Sequence, residues 1–157
     1  MATEKLPWFV TERSEILTTL LVTERPDLRL LHRREREDGV DFVVGLGGAA
    51  GLDTRMFVIQ VRGTTTSDPD ECRRAVDHLI PGDPAAIFGP TCVFVIDVRD
   101  NRHFYAWVAA PAVERGRPVL RFPEVPDFQP LDRAALDQIV DRVAGWHAAL
   151  ARVLQPA

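Results

Sequence analysis

Two stretches decide the fold: Val40-Asp41-Phe42-Val43-Val44-Gly45-Leu46 and Arg55-Met56-Phe57-Val58-Ile59-Gln60-Val61-Arg62-Gly63. Both are short and rich in β-branched and aromatic side chains, which marks strands and not helices. The middle of the second is apolar at every position, so both of its faces are covered and it lies centrally in a sheet. The glycine-rich GGAAG at 47–51, within GLGGAAG at 45–51, reads as the turn between them. It superficially resembles a dinucleotide-binding loop, but the next element is another strand, so no helix N-terminus is available for a phosphate. Three polar residues interrupt this apolar hairpin. Asp41 costs several kcal/mol if it is left dry and unpartnered, so it needs a cation or a metal. Gln60 and Arg62 are two residues apart and leave their strand on one face. If the two strands are neighbours, the three side chains converge.

Outward from this hairpin, the pattern predicts a helix over 7–24, capped by Thr11, ended by Pro26 and burying Ile16, Leu17, Leu20 and Leu21. A strand over 28–34 and a charged turn, Glu35-Arg36-Glu37-Asp38-Gly39, lead into the hairpin. Beyond it come a helix over 69–80 capped by Asp68, a buried strand over 91–98 and a hairpin partner over 103–110 across Asp100-Asn101. An edge strand over 119–122 and a long helix over 131–154 complete the chain. The stripe on that last helix is Leu136, Ile139, Val140, Val143, Trp146, Leu150 and Leu154. The expected fold is α/β (α+β): one domain over 1–157, with a central mixed sheet flanked by helices.

Composition narrows the function. The 157 residues are 46% hydrophobic and 27% charged, enough for one ordinary core. No apolar run reaches the roughly 20 residues of a spanning helix. The first residues lack the order of a secretory signal, so a cytoplasmic protein with no membrane partner is expected. The formal net charge of −4 excludes nucleic-acid binding by bulk positive charge. Any phosphate site must be a local patch or a metal. Of the 19 cations only Lys5 is a lysine. Cys72 and Cys92 fit no metal spacing and read as buried thiols. The four histidines lie at no metal-binding spacing, and no Walker loop or GxSxG is present.

What remains is Asp41 with Gln60 and Arg62, and Glu15 on the first helix within possible reach. A carboxylate, an amide and a cation at one sheet end can hold Mg²⁺ against a phosphate. They can equally form a buried Asp41–Arg62 ion pair. His32-Arg33-Arg34 with Arg36, and Arg73-Arg74, are basic patches suited to phosphates, or solvated faces interleaved with Glu35, Glu37 and Glu71. Thr64-Thr65-Thr66-Ser67 can offer hydroxyls to a phosphate or cap the next helix. Tyr105 and Trp107 share a strand face suited to base stacking or to core packing.

The order helix–Glu, strand–Asp, strand–(Glu/Gln)-x-Lys resembles the PD-(D/E)XK nuclease superfamily, whose fold is that of restriction endonucleases. Within it, the chain looks most like a bacterial domain of unknown function patterned ExxxL…D-G-x-D…QVKGT. The matching residues are Glu15-Ile16-Leu17, Asp38-Gly39-Val40-Asp41-Phe42 and Phe57-Val58-Ile59-Gln60-Val61-Arg62-Gly63-Thr64. With VFVIDV and FYAW, the resemblance covers most of residues 8–110. It implies a restriction-endonuclease-like three-layer sandwich and metal-dependent cleavage of nucleic acid, with bacterial defence as a setting. Asp41 would be the central ligand of Mg²⁺ or Mn²⁺. Gln60 would be a neutral second ligand, and Glu15 would orient a water or bind the metal through one. Arg33, Arg34 and Thr64 would meet the nucleic acid, which is expected to be DNA.

Arg62 departs from the family's lysine. It can clamp a phosphate but cannot deprotonate water, because a guanidinium stays protonated in proteins. Two readings are open: a working site in an arginine-biased chain, or a degenerate relative that binds nucleic acid or a partner protein without cutting. A chain this short has no obvious module for target recognition. A homodimer or a targeting partner protein would supply it.

Overall fold

The computed structural model describes residues 7–36, 39–47, 55–76 and 89–155. The element order is α1 (Trp8–Thr23), β1 (Leu28–Arg36), β2 (Gly39–Leu46), β3 (Met56–Thr64), α2 (Pro69–Val76), β4 (Thr91–Asp97), β5 (Arg102–Glu114), β6 (Arg117–Arg121), β7 (Gln129–Pro130) and α3 (Arg133–Leu154). One mixed sheet runs β1-β2-β3-β4-β5-β6, with the short β7 beside β5. β1, β2 and β3 form an antiparallel meander, and β4, β5 and β6 form another. The two are joined by the parallel pair β3/β4. A parallel pair needs a long crossover, and α2 lies on that connection. The expected α+β sheet flanked by helices is therefore present.

Alternation along the central strands assigns the two faces. Phe42, Val44, Phe57, Ile59, Val61, Phe94 and Ile96 face the larger core, together with Leu136, Ile139, Val140 and Val143 of α3 and Val22 of α1. Val93, Val95, Ala106 and Val108 face the other way, onto Cys72 and Val76 of α2. Asp132 caps α3, its carboxylate accepting from the Ala135 N–H at 2.8 Å. Asp68 does the same for α2 through the Asp70 N–H at 3.1 Å. Cys72 and Cys92 are both buried free thiols. Tyr105 and Trp107 pack against the larger core, as in the core-packing reading, and the Arg142 guanidinium lies 5.1 Å from the Trp107 ring centroid.

Several expectations are corrected. The buried stripe of α1 is Val10, Ser14, Thr18 and Val22, not Ile16-Leu17-Leu20-Leu21. Leu17 and Leu21 pack partly on the core, whereas Ile16 and Leu20 are more than half exposed. The reason is Gly63. Without a side chain there, α1 settles so closely on β3 that a Cβ would lie 2.7 Å from Val10 Cγ1 and 3.0 Å from Ser14 Oγ. Small residues suit that approach and leucines do not. Thr11 lies inside α1 and is not its cap; Pro7 holds the N-cap position without a side-chain bond. Leu154, at the C-terminal end of α3, is exposed. The expected turn at 48–51 and the last part of the helix over 69–80 lie outside the described residues.

Candidate functional site

Asp41 stands directly across the β2–β3 ladder from Gln60. Residues directly opposite share a face, and Arg62, two further along β3, shares it too. This is the face that carries Val93 and Val95 toward α2, because Gln60 pairs with Val93 and Arg62 with Val95. The hairpin thus brings together the three polar residues that interrupt it. Asp41 and Arg62 are both buried, at 8% and 2% exposure. Arg62 Nη1 donates to the Val61 carbonyl at 2.8 Å and to Asp41 Oδ1 at 3.5 Å. Gly39 makes room for that guanidinium, since a Cβ there would lie 2.7 Å from Arg62 Nη1 and 2.1 Å from the Val61 carbonyl oxygen.

The second oxygen of Asp41 has a partner that the sequence did not single out. Arg36 Nε donates to Asp41 Oδ2 at 2.5 Å. Arg36 pairs with Gly39 in the β1–β2 register, which makes it a diagonal neighbour of Asp41 on the same face. Only the register of the hairpin reveals this pair. Gln60 Oε1 differs from its neighbours: it is buried and has no hydrogen-bond partner among the described residues.

Glu15 is elsewhere. Its carboxylate takes a two-pronged interaction from Arg33, with Nη2 donating to Oε2 at 2.7 Å and Nε to Oε1. Glu35 also accepts from Arg33, at 3.1 Å. These carboxylates, Glu15 first, hold the Arg33 guanidinium even above its usual high pKa, so it stays charged. Arg33 is opposite Phe42 in the register, and Phe42 belongs to the larger core. Glu15 and Arg33 therefore lie on the α1 side of the sheet, and Asp41 lies on the other. Glu15 and Arg33 line an open groove of about 280 Å³ with Thr11, Glu12, Glu35 and Arg36, a groove that Asp41 does not line.

Arg34 is opposite Asp41 and exposed. His32, Arg34 and Arg36 thus alternate onto the Asp41 face of β1, while Arg33 and Glu35 point to the α1 side. Thr64 is buried at the end of β3, where its hydroxyl accepts from the Thr66 N–H at 3.2 Å. Thr66 in turn accepts from the Asp68 N–H at 3.1 Å, so the threonine run leads into the α2 cap. Asp97 ends β4 on the same face as Thr64 and is fully buried. Its Oδ1 accepts from the Arg99 and Asp100 N–H groups at 3.0 and 3.3 Å. Its Oδ2 has no partner among the described residues. The only hint of Asp97 in the sequence is an acid closing an apolar run.

Among the described residues, no cluster of three or more His, Cys, Asp or Glu could hold a metal by itself. The oxygen donors of the hairpin site are one carboxylate and one amide carbonyl. No family model, curated protein or solved structure matches the chain. Among the described residues, no helix is long and apolar enough to cross a membrane.

Proposed function

We propose that the chain is a PD-(D/E)XK-like nuclease domain that hydrolyses a phosphodiester of nucleic acid, DNA first, at the Asp41–Gln60–Arg62 face of β2–β3. The observation that carries this reading is the orphaned Gln60 Oε1, buried directly across the ladder from Asp41. A buried polar atom without a partner costs about 1–3 kcal/mol, and an amide oxygen beside a carboxylate is a donor pair for a hard cation. Mg²⁺ commonly uses one or two carboxylates and completes its shell with water and substrate phosphate. Asp41 and Gln60 fit that sparse pattern, with Mn²⁺ as an alternative ion. A bound cation there would neutralise charge developing on the phosphate.

The chain's own groups then have distinct tasks. Asp41 anchors the cation, and Gln60 adds a neutral oxygen that holds it less firmly than a carboxylate would. Arg62, permanently charged and fixed by the Val61 carbonyl, places a positive charge beside Asp41 that favours a phosphate at this face. It cannot accept the proton of the attacking water. Glu15, committed to Arg33 across the sheet, supplies no base at this face. With neither Arg62 nor Glu15 accepting that proton, slow cleavage is expected, and bacterial defence is the setting this reading suggests.

One observation favours a second reading, a relative that binds nucleic acid or a partner protein without cutting. Both Asp41 oxygens are engaged by guanidiniums, Oδ1 by Arg62 and Oδ2 by Arg36. The experiment that separates the readings is a cleavage time course on labelled single- and double-stranded DNA and RNA with Mg²⁺ or Mn²⁺. It compares wild type with Asp41→Asn and Arg62→Lys. The nuclease reading expects cleavage that Asp41→Asn abolishes and Arg62→Lys raises. Binding without cleavage in all three proteins establishes the second reading.

A further inference from the structure

We propose that Arg36 is a substrate-responsive latch on Asp41: a nucleic-acid phosphate draws the guanidinium away and frees Oδ2 for the cation. The inference rests on the reading of Asp41 as a cation ligand and adds the condition under which it becomes one.

The two guanidiniums on Asp41 are not equivalent. Arg62 is 2% exposed and is also bonded to the Val61 carbonyl, so it cannot leave without opening the hairpin core. The Arg36 side chain is 41% exposed, against 10% for Asp41. Arg36 is therefore the solvent-side cover of a carboxylate that lies behind it. Rotation about its side-chain bonds is enough to remove it. What opposes rotation is loss of a charge-assisted hydrogen bond, and a phosphodiester offers the same guanidinium an equivalent two-oxygen acceptor. Arg34 lies on the same face of β1, directly opposite Asp41, and is exposed. A phosphate backbone lying along this edge strand would meet Arg34 and Arg36 together. Arg33 is turned to the other face and held by Glu15 and Glu35. Arg34 and Arg36, and not Arg33 and Arg34, form the phosphate-facing pair.

A latch of this kind makes cation and nucleic acid bind cooperatively, and the coupling is reciprocal. Without nucleic acid, Arg36 competes with the cation for Oδ2. With it, Arg36 is occupied elsewhere and the competition is gone. The arrangement weakens metal loading until a polymer is present.

The test measures Mn²⁺ dissociation constants by calorimetry or electron paramagnetic resonance, with and without a short cleavage-resistant phosphorothioate DNA, single- and double-stranded in parallel. Wild type is expected to bind Mn²⁺ about threefold to fivefold more tightly with the DNA present, at the low end of the usual range of coupling between sites. Arg36→Gln is expected to bind Mn²⁺ more tightly than wild type without DNA and to gain nothing further from it. Asp41→Asn is expected to lose Mn²⁺ binding in both conditions. Gln60→Met, which strands no buried charge, gives the same answer if Asp41→Asn does not fold. Equal Mn²⁺ affinity of wild type and Arg36→Gln without DNA overturns the latch, as does a DNA-dependent gain that survives in Arg36→Gln. In either case loss of binding in Asp41→Asn or Gln60→Met leaves the cation site standing. No Mn²⁺ binding in wild type or Arg36→Gln, or binding that survives in both Asp41→Asn and Gln60→Met, overturns site and latch together.

Discussion

Arg62 Nη1 lies 3.5 Å from Asp41 Oδ1 across the β2–β3 ladder, and neither residue is more than 8% exposed. Removing one partner of a buried pair leaves the other charge uncompensated, which typically costs about 3–5 kcal/mol. Arg62 keeps its bond to the Val61 carbonyl, so Asp41→Ala is expected near the lower end, about 3 kcal/mol. Arg36→Gln removes a guanidinium that is 41% exposed, and an exposed ion pair contributes less than about 1 kcal/mol. Urea unfolding of both variants checks the contrast. Equal losses would mean that the solvent-side arginine, and not the buried one, stabilises the hairpin.

Gly39 is the glycine of the D-G-x-D stretch, and its role is steric. A Cβ would lie 2.1 Å from the Val61 carbonyl oxygen and 3.0 Å from Arg62 Cδ. The carbonyl belongs to a ladder strand and cannot swing aside, so Gly39→Ala must open the end of the hairpin. The expected loss is about 3 kcal/mol, at the upper end of the usual cost of overpacking. Adding Arg62→Lys removes the contact with Nη1 at 2.7 Å but keeps a Cδ and leaves the backbone contact in place. Recovery of full stability in that double variant would show that the guanidinium alone sets the requirement.

The hairpin was legible because two apolar runs flank a glycine-rich turn, and because Asp41, Gln60 and Arg62 stand out against them. A two-residue side-chain period then puts Gln60 and Arg62 on one face. The position of Glu15 was not legible. It depends on which stripe of α1 meets the sheet, and the apolar count pointed to Ile16 and Leu20, which are exposed. The stripe that packs contains Ser14, which sits over the space at Gly63, and Thr18 further along, and it is not the stripe that hydrophobicity alone selects. The resulting rotation of α1 sends Glu15 to Arg33 and away from Asp41. The pairing of Arg36 with Asp41 was hidden for a different reason: it requires the β1–β2 register, which a charged turn does not specify.

Stability should also fall in mild acid, through His103. Burial lowers the pKa of this imidazole from its ordinary 6.5, against a smaller pull upward from Asp97. The unfolded chain takes up the proton first, so the stabilisation is complete above about 6.5 and is lost as pH falls toward the depressed folded value. Urea unfolding at about pH 7.5 and about pH 5.5 should show wild type losing stability over this interval. The loss should be smaller in His103→Gln. An identical pH slope in the two proteins would remove His103 as its source.

The close seat of α1 on β3 makes two opposite predictions. Thr18 is fully buried, and its hydroxyl has no hydrogen-bond partner among the described residues. A helical threonine ordinarily bonds a carbonyl one turn back, so this oxygen is desolvated without compensation. Thr18→Val keeps the shape and deletes the unsatisfied group, and is expected to raise stability by about 1 kcal/mol. Gly63→Ala acts in the other direction. Its Cβ would meet Val10 Cγ1 at 2.7 Å and the Val10 carbonyl oxygen at 2.8 Å. Helix backbone blocks it, so α1 must lift from β3, at an expected cost of about 2 kcal/mol. Trimming Ser14 to glycine cannot relieve the contact with Val10. Thermal unfolding of the two single variants decides the matter: movement of both in the same direction would show that the spacing of α1 over β3 is not what selects small residues on the buried stripe.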